Sequence, residues 1–97
     1  MIKYLEDENF NEVIKDGLWI VDFYADWCGP CKMLGPVLES IHSNTLKINV
    51  DTHEDLAREF GVMSIPTICF FLNGELKNKV IGFRNKEEIE EIISHIK

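Results

Sequence analysis

Two cysteines three positions apart, Cys28 and Cys31, lie in the run Trp27-Cys28-Gly29-Pro30-Cys31-Lys32. Thiols at that spacing close a small disulfide ring or stay reduced, and Gly-Pro between them keeps them near each other. Upstream, Trp19 to Ala25 reads as a buried strand; downstream, Lys32 to Ser43 carries a helical period. The first thiol therefore falls where a strand ends and a helix begins. Backbone N–H groups and the helix dipole favour an anion there, and so favour thiolate over thiol. That is the chemistry of redox exchange rather than of a structural staple. A CxxC is also half of a zinc site, but the second half is missing. Cys69 has no CxxC partner, and His42, His53 and His95 are scattered without ligand spacing. No metal is expected.

The rest of the composition bounds the setting. Ninety-seven residues make one domain, residues 1–97, with chain enough for a single core. A net charge of −7 without a basic cluster argues against a phosphate backbone as ligand, so nucleic acid is not an expected partner. No apolar run approaches a membrane span. The start, Met1 to Glu8, turns acidic before a signal-peptide apolar region could form, which leads us to expect a cytoplasmic protein. The third cysteine leaves an odd number, so a disulfide framework is not the reading.

The elements that must position the cysteines follow from periodicity and punctuation. Ile2 to Leu5 is a short edge strand. Asp7 is expected to cap a helix burying Phe10, Val13 and Ile14 and stopping at Gly17. Ile20 to Ala25 is nearly continuous in apolar residues, as in a central strand covered on both faces. The next helix places Leu34, Val37, Leu38 and Ile41 on one side, with Pro36 expected to bend it rather than end it. Leu46 to Val50 is a strand, and Thr52 with Asp55 is expected to cap a short helix that turns Leu56, Ala57 and Phe60 inward before Gly61. Thr67 to Leu72 is a strongly apolar strand, and Asn73-Gly74 predicts a hairpin into a strand over Leu76 to Gly82. Asn85 and Glu88 form a capping pair for a last helix striped by Ile89, Ile92, Ile93 and Ile96. The order β-α-β-α-β-α-β-β-α predicts an α/β fold: a central mixed sheet of four to five strands with helices on both faces.

At this point the residues resemble a family. Val21 to Lys32 is similar to the active-site segment of the thioredoxins. The similarity continues through Pro36, Lys47 to Asp51, Phe60-Gly61-Val62, Ser64-Ile65-Pro66-Thr67, Phe71 to Gly74 and Gly82, in order over nearly the whole chain. Two departures stand out. Tyr24 takes a position where many members carry a second tryptophan. The stretch from Cys31 to Lys47 is shorter than usual, so the second helix is expected to lose a turn or more at its far end.

The resemblance implies a protein-disulfide reductase of the cytosol that works by dithiol–disulfide exchange, keeps redox balance and donates electrons to reductive enzymes. Cys28 is then the nucleophile, expected to be partly exposed, and Cys31, one helical turn on, the resolving thiol; oxidised, they form the disulfide Cys28–Cys31. Asp22 stands out on its own account, since a carboxyl group in an apolar strand is costly to ionise and its pKa is expected to be raised. The resemblance makes it the acid beneath the cysteines that takes the Cys31 proton through a water. Lys47, by spacing alone a surface lysine, becomes by resemblance the neighbour that modulates Asp22. Pro66, by itself a turn proline, becomes a cis proline presenting the backbone of Ile65 to an extended substrate segment. Trp27, Gly29, Pro30, Ile65 and Gly82 would form a nearly flat apolar rim for disulfide-containing protein substrates, with Ile81 either joining it or buried by alternation. Cys69, in an apolar run, reads as a passive core thiol. Trp19, His42, His53, His95 and Met63 read as packing or surface residues.

Gly-Pro between the cysteines resembles the reducing members; oxidants of this fold usually carry another dipeptide. A different class of role, the rim serving as a scaffold for a partner protein, would survive loss of both thiols. The electrons reside on sulfur, so no cofactor is implied. The pair must be re-reduced by a thioredoxin reductase, nicotinamide-linked or ferredoxin-linked, and the chain is expected to act as a monomer.

Overall fold

A computed structural model describes residues 1–97. In chain order it contains β1 (Ile2–Tyr4), α1 (Phe10–Val13), β2 (Leu18–Tyr24), α2 (Gly29–Glu39), β3 (Asn44–Asn49), α3 (Glu54–Glu59), β4 (Thr67–Leu72), β5 (Glu75–Ile81) and α4 (Lys86–Ile96). The five strands form one mixed sheet in the order β1-β3-β2-β4-β5. β3 runs parallel to both β1 and β2, whereas β2–β4 and β4–β5 are antiparallel. The expected element order and mixed sheet are therefore both present.

Alternation along the strands divides the core in two. Trp19, Val21 and Phe23 of β2 join Leu46, Ile48, Cys69 and Phe71, and α1 and α3 cover them through Phe10, Val13, Leu56 and Phe60. Ile20 of β2 joins Ile68 and Phe70 on the other face, under Leu34 and Leu38 of α2 and Ile89 and Ile93 of α4. By the same alternation Asp22 and Tyr24 lie on the α2/α4 face. Asp22 is the buried acid of a layer built mainly from Leu, Ile and Phe, in which Thr45 and Lys47 of β3 are the other buried polar side chains.

The local signals hold with several corrections. Asn9, not Asp7, caps α1, accepting from the Glu12 N–H at 3.1 Å. Asp7 comes too early because it sits inside an acidic turn, in which Glu8 accepts from the Glu6 N–H and pairs with Lys3. The helix also ends at Val13, and Gly17 (φ +75°) instead turns the chain into β2, donating its N–H to Asn73 at 2.8 Å. His53, not Thr52, occupies the cap of α3 and makes no side-chain capping bond, and the Thr52 hydroxyl is engaged by Asn49 and His53. α3 fully buries none of its residues, and Leu56 and Phe60 pack against the core only partly. The Asn85/Glu88 capping box is complete in both directions, and Asn73 (φ +51°) with Gly74 (φ +83°) makes the hairpin turn. α2 begins three residues earlier than periodicity suggests, at Gly29, and continues three residues past Pro36.

Candidate active site

Cys28 is the N-cap of α2. Its backbone is extended, and its Sγ accepts from the Cys31 N–H at 3.2 Å, with Pro30 in the first turn where a missing N–H is harmless. Cys28 and Cys31 are joined as a disulfide with Cα atoms 5.2 Å apart. Both are deeply set, 4% and 2% exposed. The expected partial exposure of Cys28 is thus not found in this oxidised form: its sulfur is tied down to Cys31, while Ala25, Val50 and Ile65 pack around the pair. Gly29, Pro30 and Trp27 form the exposed surroundings, Trp27 being 71% exposed.

Across from the disulfide lies Ile65-Pro66, a cis peptide. The Ile65 carbonyl oxygen is 3.8 Å from Cys28 Sγ. Gly82, with φ +93°, donates its N–H to the Pro66 carbonyl at 2.7 Å, so the end of β5 ties down this loop. Ile81 is exposed, which resolves its alternatives toward the surface. Beside the disulfide Trp27, Val50, Val62, Met63, Ser64 and Ile65 line an apolar groove of about 400 Å³. Met63, read from sequence as a packing or surface residue, is 92% exposed there. A larger hollow of about 590 Å³ lies at the opposite end of the strands, between Leu18, Asn44 and Leu72, remote from the sulfurs.

Asp22 is completely buried, and neither carboxylate oxygen has a hydrogen-bond partner. Its one cation is Lys47, directly opposite on β3, with Nζ 3.6 Å from Oδ2. Burial pushes the Asp22 carboxyl up to about 6, and the Lys47 charge offsets only part of that rise. Lys47 is itself buried, contrary to its spacing-only reading as a surface lysine. A cleft of about 200 Å³, lined among others by Cys31, Ala25, Tyr24 and Lys47, runs from the lower cysteine to the lysine of this pair and opens to solvent, with Asp22 buried outside its lining.

Two participants escaped the sequence reading. The Trp27 Nε1–H donates to Asp51 at 2.9 Å, a partner 24 residues away. The signal was the segment Lys47 to Asp51, but nothing in its spacing says that its last residue reaches an indole. Tyr4 also lines the cleft; an exposed tyrosine on an edge strand carries no sequence mark. Cys69 is fully buried on the α1/α3 face, as expected of a core thiol, with its pKa pushed up to about 11 by burial. His, Cys, Asp and Glu side chains nowhere gather in threes able to hold a metal ion, and no helix is long and apolar enough to cross a membrane.

A family model described as thioredoxin matches residues 1–95. The thioredoxin of Staphylococcus saprophyticus is 47% identical over 90% of this chain and 89% of its own length. That of Chlamydia caviae is 42% identical over 97% of both. Among solved structures, a point-mutant thioredoxin from Halobacterium salinarum superimposes with a TM-score of 0.87 at 32% identity, covering 97% of this chain and 88% of that one. A thioredoxin from Malassezia sympodialis gives 0.83 at 32% identity, over 97% and 91%. With the Cys28–Cys31 disulfide at a helix start, this match over nearly its full length means that the chain belongs to the thioredoxin family, whose members are protein-disulfide oxidoreductases working by dithiol–disulfide exchange.

Proposed function

We propose that the exchange is directional, with Cys28 as the attacking thiol and Cys31 as the resolving one. The observation that carries this is the asymmetry of the pair: Cys28 caps α2 with its Sγ toward the Cys31 N–H, while Cys31 lies inside the helix above the cleft to Lys47. In the reduced protein the N–H groups of the first turn favour a Cys28 thiolate. That thiolate attacks one sulfur of a substrate disulfide, forming a mixed disulfide and expelling the other substrate sulfur as thiolate. Cys31 then attacks Cys28 Sγ, closes the Cys28–Cys31 bond and releases the second substrate sulfur. Two electrons pass to the substrate. The Cys31 proton passes to Asp22 through a water, and Asp22 suits that task because a carboxyl with a pKa near 6 accepts and returns a proton near neutral pH. Lys47 sets how much charge Asp22 carries.

Trp27, Gly29, Pro30, Ile65, Pro66 and Gly82 receive the substrate. The Ile65 backbone beside Cys28 offers an extended segment main-chain bonding that is indifferent to side chains, and the apolar groove takes its neighbours. Re-reduction falls to a thioredoxin reductase, the substrates are disulfide-bearing proteins, and the work is the upkeep of cytoplasmic thiols and the supply of electrons to reductive enzymes. Similarity to the bacterial thioredoxins supports this setting.

Trapping tests the order of events. Cys31→Ser is expected to accumulate a mixed disulfide with a protein substrate, and Cys28→Ser is not. The reverse pattern would overturn the assignment. The equilibrium with glutathione tests direction: a potential near the −270 mV known for thioredoxins, roughly, marks a reductant, and one near about −120 mV an oxidant.

A further inference from the structure

Lys47 is held by more than its ion pair. Tyr4, Lys47 and Asp22 form one cross-strand row through β1, β3 and β2, and Tyr24 follows two residues after Asp22 on the same face. The Lys47 ammonium lies 4.7 Å from the centroid of the Tyr24 ring and 5.6 Å from that of Tyr4. Both fall inside the roughly 6 Å reach of a cation–π contact. The two rings meet edge to face, with centroids 6.2 Å apart and planes at 80°, so each fixes the other. At 3.6 Å the Lys47–Asp22 contact is too long for a hydrogen bond, and the flexible four-carbon stem is free to carry the ammonium out into the cleft. The ring faces supply the restraint that the carboxylate does not.

We propose that Tyr4 and Tyr24 are positioning residues for the reduction: they clamp the Lys47 ammonium over Asp22 and thereby fix the proton affinity of that acid. The proposal deepens, and rests on, the reading of Asp22 as proton acceptor for Cys31. Tyr4 is 56% exposed and Tyr24 partly so. Tyr4 thus contributes little burial, and its place on the edge strand is explained by the lysine it covers. The charged and titratable groups around Asp22 are few. Lys47 comes from β3, Tyr4 from β1, Tyr24 from β2 and Cys31 from α2, while Asp26 and Lys32 line the same cleft. From β4 the cross-strand partner of Asp22 is Ile68, and α4 turns Ile89 and Ile93 to this face. Without the rings, the ammonium spends more time in solvent, the carboxylate loses its nearest cation, and Asp22 holds its proton to higher pH.

The experiment follows the Asp22 carboxyl by carbon NMR across pH in the oxidised protein, where the active-site cysteines do not titrate. Tyr4→Leu or Tyr24→Leu is expected to move the midpoint up by about half a pH unit, and the double variant by up to about one, the size of surface cation–π contacts expressed as proton affinity. The matching Tyr→Phe variants keep the ring faces and the original midpoint. In a Lys47→Met background the leucine substitutions have no further effect. An unmoved midpoint in the leucine variants overturns the proposal, as does a shift equally large with and without Lys47. Tyr4→Leu alone, at an exposed site, carries the test if Tyr24→Leu fails to fold. Turnover of Asp22→Asn separates the two ideas. Unchanged turnover there removes Asp22 from the reaction and with it the catalytic meaning of the clamp, whereas a failed carboxyl titration removes only the clamp.

Discussion

The indole N–H of Trp27 donates to the Asp51 carboxylate at 2.9 Å, across the boundary between the active-site turn and the segment that follows β3. An indole that is 71% exposed has little packing to fix it, so this bond sets which way the ring faces beside the disulfide. Asp51→Ala is expected to free the ring and lower kcat/KM for a protein substrate by about 3- to 10-fold, the size of a charge-assisted bond discounted for solvent. Asp51→Asn retains an acceptor and most of the activity. Steady-state kinetics, together with Trp27 fluorescence anisotropy in a Trp19→Phe background, checks both. Unchanged anisotropy in Asp51→Ala would mean that the ring is held by something else.

Gly82 tests the far side of the site. Its φ of +93° is one that side chains rarely adopt, although a Cβ there would meet nothing closer than the Arg84 guanidinium at 3.7 Å. The obstacle to substitution is thus the backbone and not space. Gly82→Ala is expected to cost about 1–2 kcal/mol, and to raise KM because the Gly82 N–H holds the Pro66 carbonyl. Gly35→Ala, inside α2 and with open space around it, is the contrast, expected to gain about 0.5–1 kcal/mol. Chemical denaturation of both variants gives opposite signs if backbone conformation is the cause.

Cys69 gives a prediction about reactivity. Its thiol is fully buried and its pKa is raised to about 11, burial outweighing the opposing pull of Lys79. Reactivity requires thiolate and access, and this group has neither. In the oxidised native protein an aromatic disulfide probe at pH 8 is expected to leave Cys69 untouched, with labelling appearing only as denaturant unfolds the chain. Prompt labelling of the folded protein would reopen a regulatory role.

Much of this architecture was legible because the signals were local. Asn73-Gly74 needs only two residues to make its turn, and Asn85 with Glu88 needs only four to cap α4. Cys28 at the strand–helix junction was readable for the same reason, since the cap and the helix after it are contiguous. What could not be read was contact between distant segments. Thr52 looked like a cap until its hydroxyl was taken by Asn49 and His53, and Asp7 lost its place to Asn9 through a turn closed by Lys3 and Glu8. Lys47 was the clearest case. Spacing makes it a surface residue, and only its cross-strand neighbours, Asp22 and Tyr4, place it inside. Resemblance supplied the Asp22 pairing but not the tyrosines.

Asp22 makes stability depend on pH in a direction that can be worked out. Its carboxyl titrates near 6 in the folded chain and near 4 when unfolded, because burial disfavours the charged form. The folded state therefore binds this proton more tightly than the unfolded state does. The stability that comes with the protonated acid is complete below pH 4, falls as pH rises from about 4 to about 6, and is gone above that. Asn cannot ionise, so Asp22→Asn is expected to match the wild type near pH 4 and to exceed it above pH 6 by about 1–3 kcal/mol. The lower figure allows for a Lys47 left without its carboxylate. Turnover near neutral pH is expected to fall about tenfold or more if Asp22 is the proton acceptor proposed above. Urea unfolding at a series of pH values reads the first effect and disulfide reduction the second. Stability curves of the two proteins that run parallel from pH 4 to 7 would mean that folding does not raise the Asp22 pKa.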